Sequence, residues 1–79
     1  MAKVTVLYFA SLRDAAGVAS ETVEATADLR ALYEQLRTRH GFVLPQERLR
    51  VAVDGAFARW GDAVRPGSEI AFIPPVSGG

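Results

Sequence analysis

From Lys3 to Phe9 the chain reads KVTVLYF, a β-branched and aromatic run that predicts a buried strand. SLRDAAG follows and is too short for more than a helical turn or loop. Ala19 to Ala25 (ASETVEA) alternates weakly and reads as a second strand, a hairpin partner of the first. The strongest period lies next: Leu29, Leu32, Tyr33 and Leu36 fall at i, i+3, i+4 and i+7, one face of an α-helix. Asp28 or Thr26 can cap its start, Arg37, Arg39 and His40 suit its negative end, and Gly41 its stop. FVLPQER is a connection broken by Pro45. LRVAV (Leu49 to Val53) alternates cleanly, and Asp54-Gly55 predicts a hairpin turn into the short strand AFARW. In RPGSE, Pro66 and Gly67 stand where a type II turn wants them. EIAFI (Glu69 to Ile73) is the final strand, ended by Pro74 and Pro75.

Strand, strand, helix, strand, short strand, strand: one helix can cover only one face of such a sheet, which predicts a two-layer α+β domain. Strand parity then sorts the side chains. Val4, Val6 and Tyr8 share a face, as do Ile70 and Phe72, and the helix stripe is assigned to Val4, Val6, Ile70 and Phe72. Phe9 and Ile73 are left on the open face, where Phe57, just past the Asp54-Gly55 turn, extends the patch. The domain is expected over residues 1–73, with 74–79 as a flexible tail.

Composition narrows the possible functions. Seventy-nine residues, 49% hydrophobic and 23% charged, make one small globular domain that folds on its apolar core alone. Nine basic and nine acidic residues are mixed along the chain, so there is no electrostatic footprint for nucleic acid. The absence of cysteine removes disulfides, thiolate zinc sites and cysteine nucleophiles together. The apolar run from Val4 to Ala10, interrupted by Thr5, is too short for an export signal, and nothing approaches the ~18 apolar residues of a membrane span. A cytoplasmic protein with no membrane partner is expected.

Side chains offer little chemistry. His40, the sole histidine, is expected to be a solvated helix-end residue. No serine has a nucleophile-elbow context. No histidine or carboxylate pair has metal-ligand spacing, and no helix follows the glycine turns to make a phosphate cradle. Trp60 and Tyr33 pack the core or its rim. The exception is the end, PPVSGG. Gly78 and Gly79 lack Cβ atoms and can thread a channel too narrow for other residues. Their carboxylate is unhindered, and Pro74 and Pro75 hold the base of the tail extended, reducing the ordering cost of insertion into a partner.

Element order, length and the terminal diglycine resemble the ubiquitin-like β-grasp fold, a mixed sheet of four to five strands with one main helix on one face. EIAFIPPVSGG resembles the end of the MoaD family, the small subunit of molybdopterin synthase, and LYFASLRDAAG is similar to that family's first strand and following turn. The resemblance implies a sulfur carrier rather than a catalyst with side chains of its own. Gly79 would be adenylated by a ubiquitin-activating-like adenylyltransferase that uses ATP, with no cofactor or metal bound by the carrier itself. A sulfur donor would then convert it to a thiocarboxylate, a soft nucleophile that delivers sulfur without any cysteine. Pro75, Val76, Ser77 and Gly78 would enter the large subunit, in a heterotetramer, to turn cyclic pyranopterin monophosphate into molybdopterin. Phe9, Phe57 and Ile73 would bind that subunit. Two readings with the same tail chemistry stay open: a carrier for thiamine synthesis or tRNA thiolation, and a protein modifier, although Lys3 is the only lysine for chain-building.

Overall fold

The computed structural model describes residues 2–75. Its elements run β1 (Lys3–Tyr8), α1 (Ala10–Ala16), β2 (Ser20–Glu24), α2 (Leu29–His40), β3 (Arg50–Val53), β4 (Ala56–Ala58) and β5 (Glu69–Ile73), with a 3-10 turn at Gln46–Arg48. The strands form one mixed sheet in the order β2-β1-β5-β3-β4. Only the central β1–β5 pair is parallel, with Val6 opposite Ile70 and Tyr8 opposite Phe72. The β1–β2, β3–β4 and β3–β5 pairs are antiparallel. This is the β-grasp arrangement, with α2 laid across one face.

The predicted parity holds. Val4, Val6, Tyr8, Ile70 and Phe72 are buried under the stripe of Leu29, Leu32, Tyr33 and Leu36. Tyr33 organises this layer: its ring lies 5.2 Å from Phe72 and 5.7 Å from Trp60, and its hydroxyl donates to the Leu44 carbonyl at 2.6 Å. A buried tyrosine needs such a partner. Both ends of α2 are closed by local chemistry. Asp28 accepts from the Ala31 amide at 2.8 Å, while the Leu29 and Arg30 amides donate to the Asp62 and Trp60 carbonyls. At the other end Gly41 adopts φ 72°, and the Gly41 and Phe42 amides return to the Arg37 carbonyl. The chain turns sharply there and sends Phe42 back into the core.

Two expectations need correction. SLRDAAG is no single turn or loop: all of it but Gly17, the left-handed cap, belongs to the seven-residue helix α1, held to the core by Leu12, which is buried. Its apolar anchor is one residue, too little for a periodic signal. His40 is not a solvated helix end either. Glu21 pairs with Val6 on the helix-covered face of the sheet, and the His40 Nε2 lies 2.6 Å from its Oε2. Tyr8 donates its phenol to the same oxygen, and Arg39 stands 3.7 Å from Oε1. The His40 ring also packs edge-on to Tyr8. The carboxylate therefore ties the edge strand to the end of α2 and gives the phenol of Tyr8 its partner. The signal was present in SETVE, whose parity puts Glu21 beside Val23 on the inner face.

Burial works to raise the Glu21 carboxyl pKa, but the hydrogen bonds from Tyr8 and His40 and the positive charges of His40 and Arg39 outweigh it and hold it below its ordinary value. A folded value below the unfolded one means that the stabilisation is complete above the ordinary carboxylate range. It drains away as pH falls through the lowered value. Glu21→Gln is expected to cost about 1–2 kcal/mol near neutral pH, and the gap from wild type to narrow in acid, once pH has fallen through the lowered Glu21 carboxyl value. Denaturant unfolding of both proteins at neutral and acid pH checks this; a gap that stays as wide in acid contradicts it.

Candidate functional site

Because β1 and β5 run parallel side by side, their C-terminal ends arrive together at one end of the sheet. Phe9 follows directly on one and Ile73 closes the other. Phe9 is extended (φ −128°, ψ 150°), and Ala10 next to it adopts φ 50°, a left-handed conformation that a side chain rarely takes. This reversal lets Leu12 turn back into the core while Phe9 stays 45% exposed.

On the far side of the sheet, Asp54 (φ 51°) and Gly55 (φ 88°) form the tight turn that the Asp-Gly pair predicts, and Phe57 beyond it is 69% exposed. Asp54 does more than turn. Its amide donates to the Glu69 carbonyl at 2.8 Å, and its Oδ1 accepts from the Glu69 amide at 2.9 Å, fixing the β3–β4 hairpin against the start of β5. The register then sets Leu7 beside Ala71, Ala71 beside Ala52, and Ala52 beside Phe57. The result is a trough of about 260 Å³ with an alanine floor, walled by Leu7, Phe9, Phe57 and Ile73. Among the described residues it brings together Phe9, Phe57 and the half-buried Ile73, all three of which the sequence marks for the open face.

Leu7, Ala52 and Ala71 belong to the same surface and were not singled out. Their parity was readable, but small residues carry no signal until the strand order sets them side by side. Beyond Ile73, Pro74 is buried and Pro75 exposed, so the chain is anchored one residue past the end of β5. Val76, Ser77, Gly78 and Gly79 lie outside the described residues. No group of three or more metal-ligating side chains occurs among the described residues, and no helix there is long and apolar enough to cross a membrane.

A β-grasp domain with an apolar trough at the root of a diglycine tail defines the class of ubiquitin-like carrier proteins. Over residues 6–79 the sequence matches the ThiS family. The chain belongs to that family. It is 38% identical to the human molybdopterin synthase sulfur carrier subunit over 100% of its own length and 97% of that protein. Among solved structures it resembles a Pyrococcus furiosus protein described as subunit 1 of a molybdopterin converting factor, with TM-score 0.81 and 30% identity, covering 96% of this chain and all of that one. It also resembles the modifier protein SAMP1 of Haloferax volcanii, with TM-score 0.79 and 27% identity, covering 98% and 99% of the two chains.

Residues held for the trough differ energetically from those held for the core. Phe57→Ser is expected to change unfolding stability by less than about 0.5 kcal/mol, because the ring is mostly in water already. Leu36→Ala, at a fully buried position, is expected to cost about 2–5 kcal/mol. Denaturant unfolding of the two variants checks the contrast; a Phe57 variant as unstable as the Leu36 variant would place that ring in the core.

Proposed function

We propose that this chain is the sulfur carrier subunit of a molybdopterin synthase, acting through a thiocarboxylate on Gly79. The observation that carries this reading is the apolar trough built from the two strand ends that flank the root of the tail. Membership of the ThiS family and the full-length likeness to a molybdopterin synthase sulfur carrier subunit support it.

Each chemical step has a balance. The Gly79 carboxylate oxygen attacks the α-phosphorus of ATP on an activating adenylyltransferase, and pyrophosphate leaves. Sulfide from a sulfur donor attacks the acyl carbon, AMP leaves, and the thiocarboxylate remains. Its sulfur electron pair then forms a bond to a carbon of cyclic pyranopterin monophosphate inside the large subunit. A carbon–oxygen bond at that carbon breaks and the oxygen departs with a proton, and a second charged carrier supplies the second sulfur in the same way. Water cleaves the acyl–sulfur bond, so the sulfur stays on the pterin and Gly79 returns as a carboxylate. The carrier contributes no side chain to proton transfer and holds no cofactor or metal; ATP is consumed on the activating enzyme, in the cytoplasm. Pro75, Val76, Ser77 and Gly78 carry the reactive group into the large subunit, and Gly78 and Gly79 leave it unencumbered.

Phe9, Phe57 and Ile73 dock the large subunit so that the tail enters at a fixed angle. An apolar cluster of this kind gives anchorage when covered, at about 1.5–3 kcal/mol per buried side chain before ordering costs. The likeness to SAMP1 raises the reading as a protein modifier. It shares the fold and tail chemistry, and the identity of the sulfur acceptor separates the two.

Removal of Gly79 is expected to abolish sulfur transfer to the pterin in a system of purified partners while leaving the thermal unfolding midpoint unchanged. Sulfur transfer by the shortened chain would overturn the role of the tail. Phe9→Asp is expected to weaken binding to the large subunit by about tenfold or more, measured by calorimetry, with the isolated domain still folded. Undiminished binding would take the trough out of the interface.

A further inference from the structure

The sheet register sets Arg50 beside the root of the tail. Its Cα is the partner of Ile73, the residue before Pro74. Its guanidinium carbon lies 5.5 Å from the centroid of the Phe57 ring. An arginine over an aromatic face is held in place while its N–H groups stay free to donate. Among the described residues no carboxylate lies within ion-pair distance of Arg50; the pairs there join Glu34 with Arg37, and Glu21 with Arg39 and His40. Arg48 and Arg50 line a groove of about 560 Å³ with Phe57 and Pro74, and Glu47 is the acidic group among its walls.

We infer that Arg50 is a specificity contact, taking a carboxylate of the large subunit beside the root of the tail. The inference rests on the docking role proposed for the open face. Arg50 is bound to two members of that face, stacked on Phe57 and paired with Ile73, so a partner that covers them covers the guanidinium as well. A cation taken from water without a counter-charge costs more than the apolar contacts beside it return. The covering surface must therefore bring an anion. The fork of N–H donors suits a carboxylate in a two-pronged pair, which fixes direction as well as position. Charge pairing at such a rim acts mainly on partner choice and encounter rate. Here it gives the alanine-floored trough, which by itself accepts any bulky apolar side chain, a means of orienting its partner and refusing a basic one.

Binding of the unmodified chain to the large subunit, measured by calorimetry with no nucleotide and no pterin present, leaves protein groups as the only source of the anion. Arg50→Glu is expected to lower affinity by about 30-fold or more at low salt, and Arg50→Lys by less, because the ammonium keeps the charge without the fork. The Arg50→Glu loss should shrink as salt rises. Thermal melts of the isolated variants report folding; if Arg50→Glu does not fold, Arg50→Gln replaces it, with about a tenfold loss expected. Affinity unchanged in the Arg50 variants but reduced in Phe9→Asp would overturn the assignment to Arg50 and leave the docking face standing. Affinity unchanged in all of them would remove the docking reading itself.

Discussion

The parallel pairing of β1 with β5 is the constraint from which the rest of this structure follows. An antiparallel arrangement of first and last strands would send the end of the chain to the opposite end of the sheet from Phe9. In parallel, Tyr8 stands beside Phe72, and the two chains leave the sheet together. One continues through the left-handed Ala10 into α1, and the other passes Ile73 and the buried Pro74 towards the tail. The root of the tail at Ile73 and Pro74 and an apolar surface are thereby fixed to one another by the most central hydrogen bonds in the sheet.

That geometry would be of no use if both faces of the sheet were covered. The core has a single helical layer, and the aromatic contacts of Tyr33 with Phe72, Trp60 and Phe42 concentrate its packing on one side. The chain spends its large side chains there and floors the other face with Ala52 and Ala71. A domain of this size is marginal on its core alone. The Tyr8–Glu21–His40 cluster and the Asp54 bracket on Glu69 add fixed polar ties at the edge strand and at the hairpin, where the apolar layer is thin. The cluster makes stability depend on pH through the lowered Glu21 carboxyl.

Legibility in the sequence follows how local each signal is. The helix from Leu29, the Asp-Gly turn and the strand parities were all readable, because each depends on residues within a few positions of one another. So were Phe9 and Ile73 on the open face, since parity and a single helix decide them, while Phe57 was placed there only by its position just past the Asp54-Gly55 turn. Strand order was not readable: which strands pair is settled by packing across the chain, and Ala52 and Ala71 gain meaning only from it. His40 was misread for the same reason, since its partner Glu21 lies on a strand nineteen positions away. The α1 helix hangs on Leu12, one anchor where periodicity needs several.

In the proposed function the chain performs chemistry with its main chain and leaves side chains to recognition. That division accounts for a sequence poor in nucleophiles and a structure whose built features are a core, a trough and the root of a tail. The intact mass of the chain tests it most directly, taken after incubation with the activating enzyme, ATP and a sulfur donor, and again after addition of the large subunit and the pterin precursor. The account predicts replacement of one terminal oxygen by sulfur in the first spectrum and its reversal in the second. A mass that never changes, or a sulfur that stays on the chain in the presence of both, would contradict it.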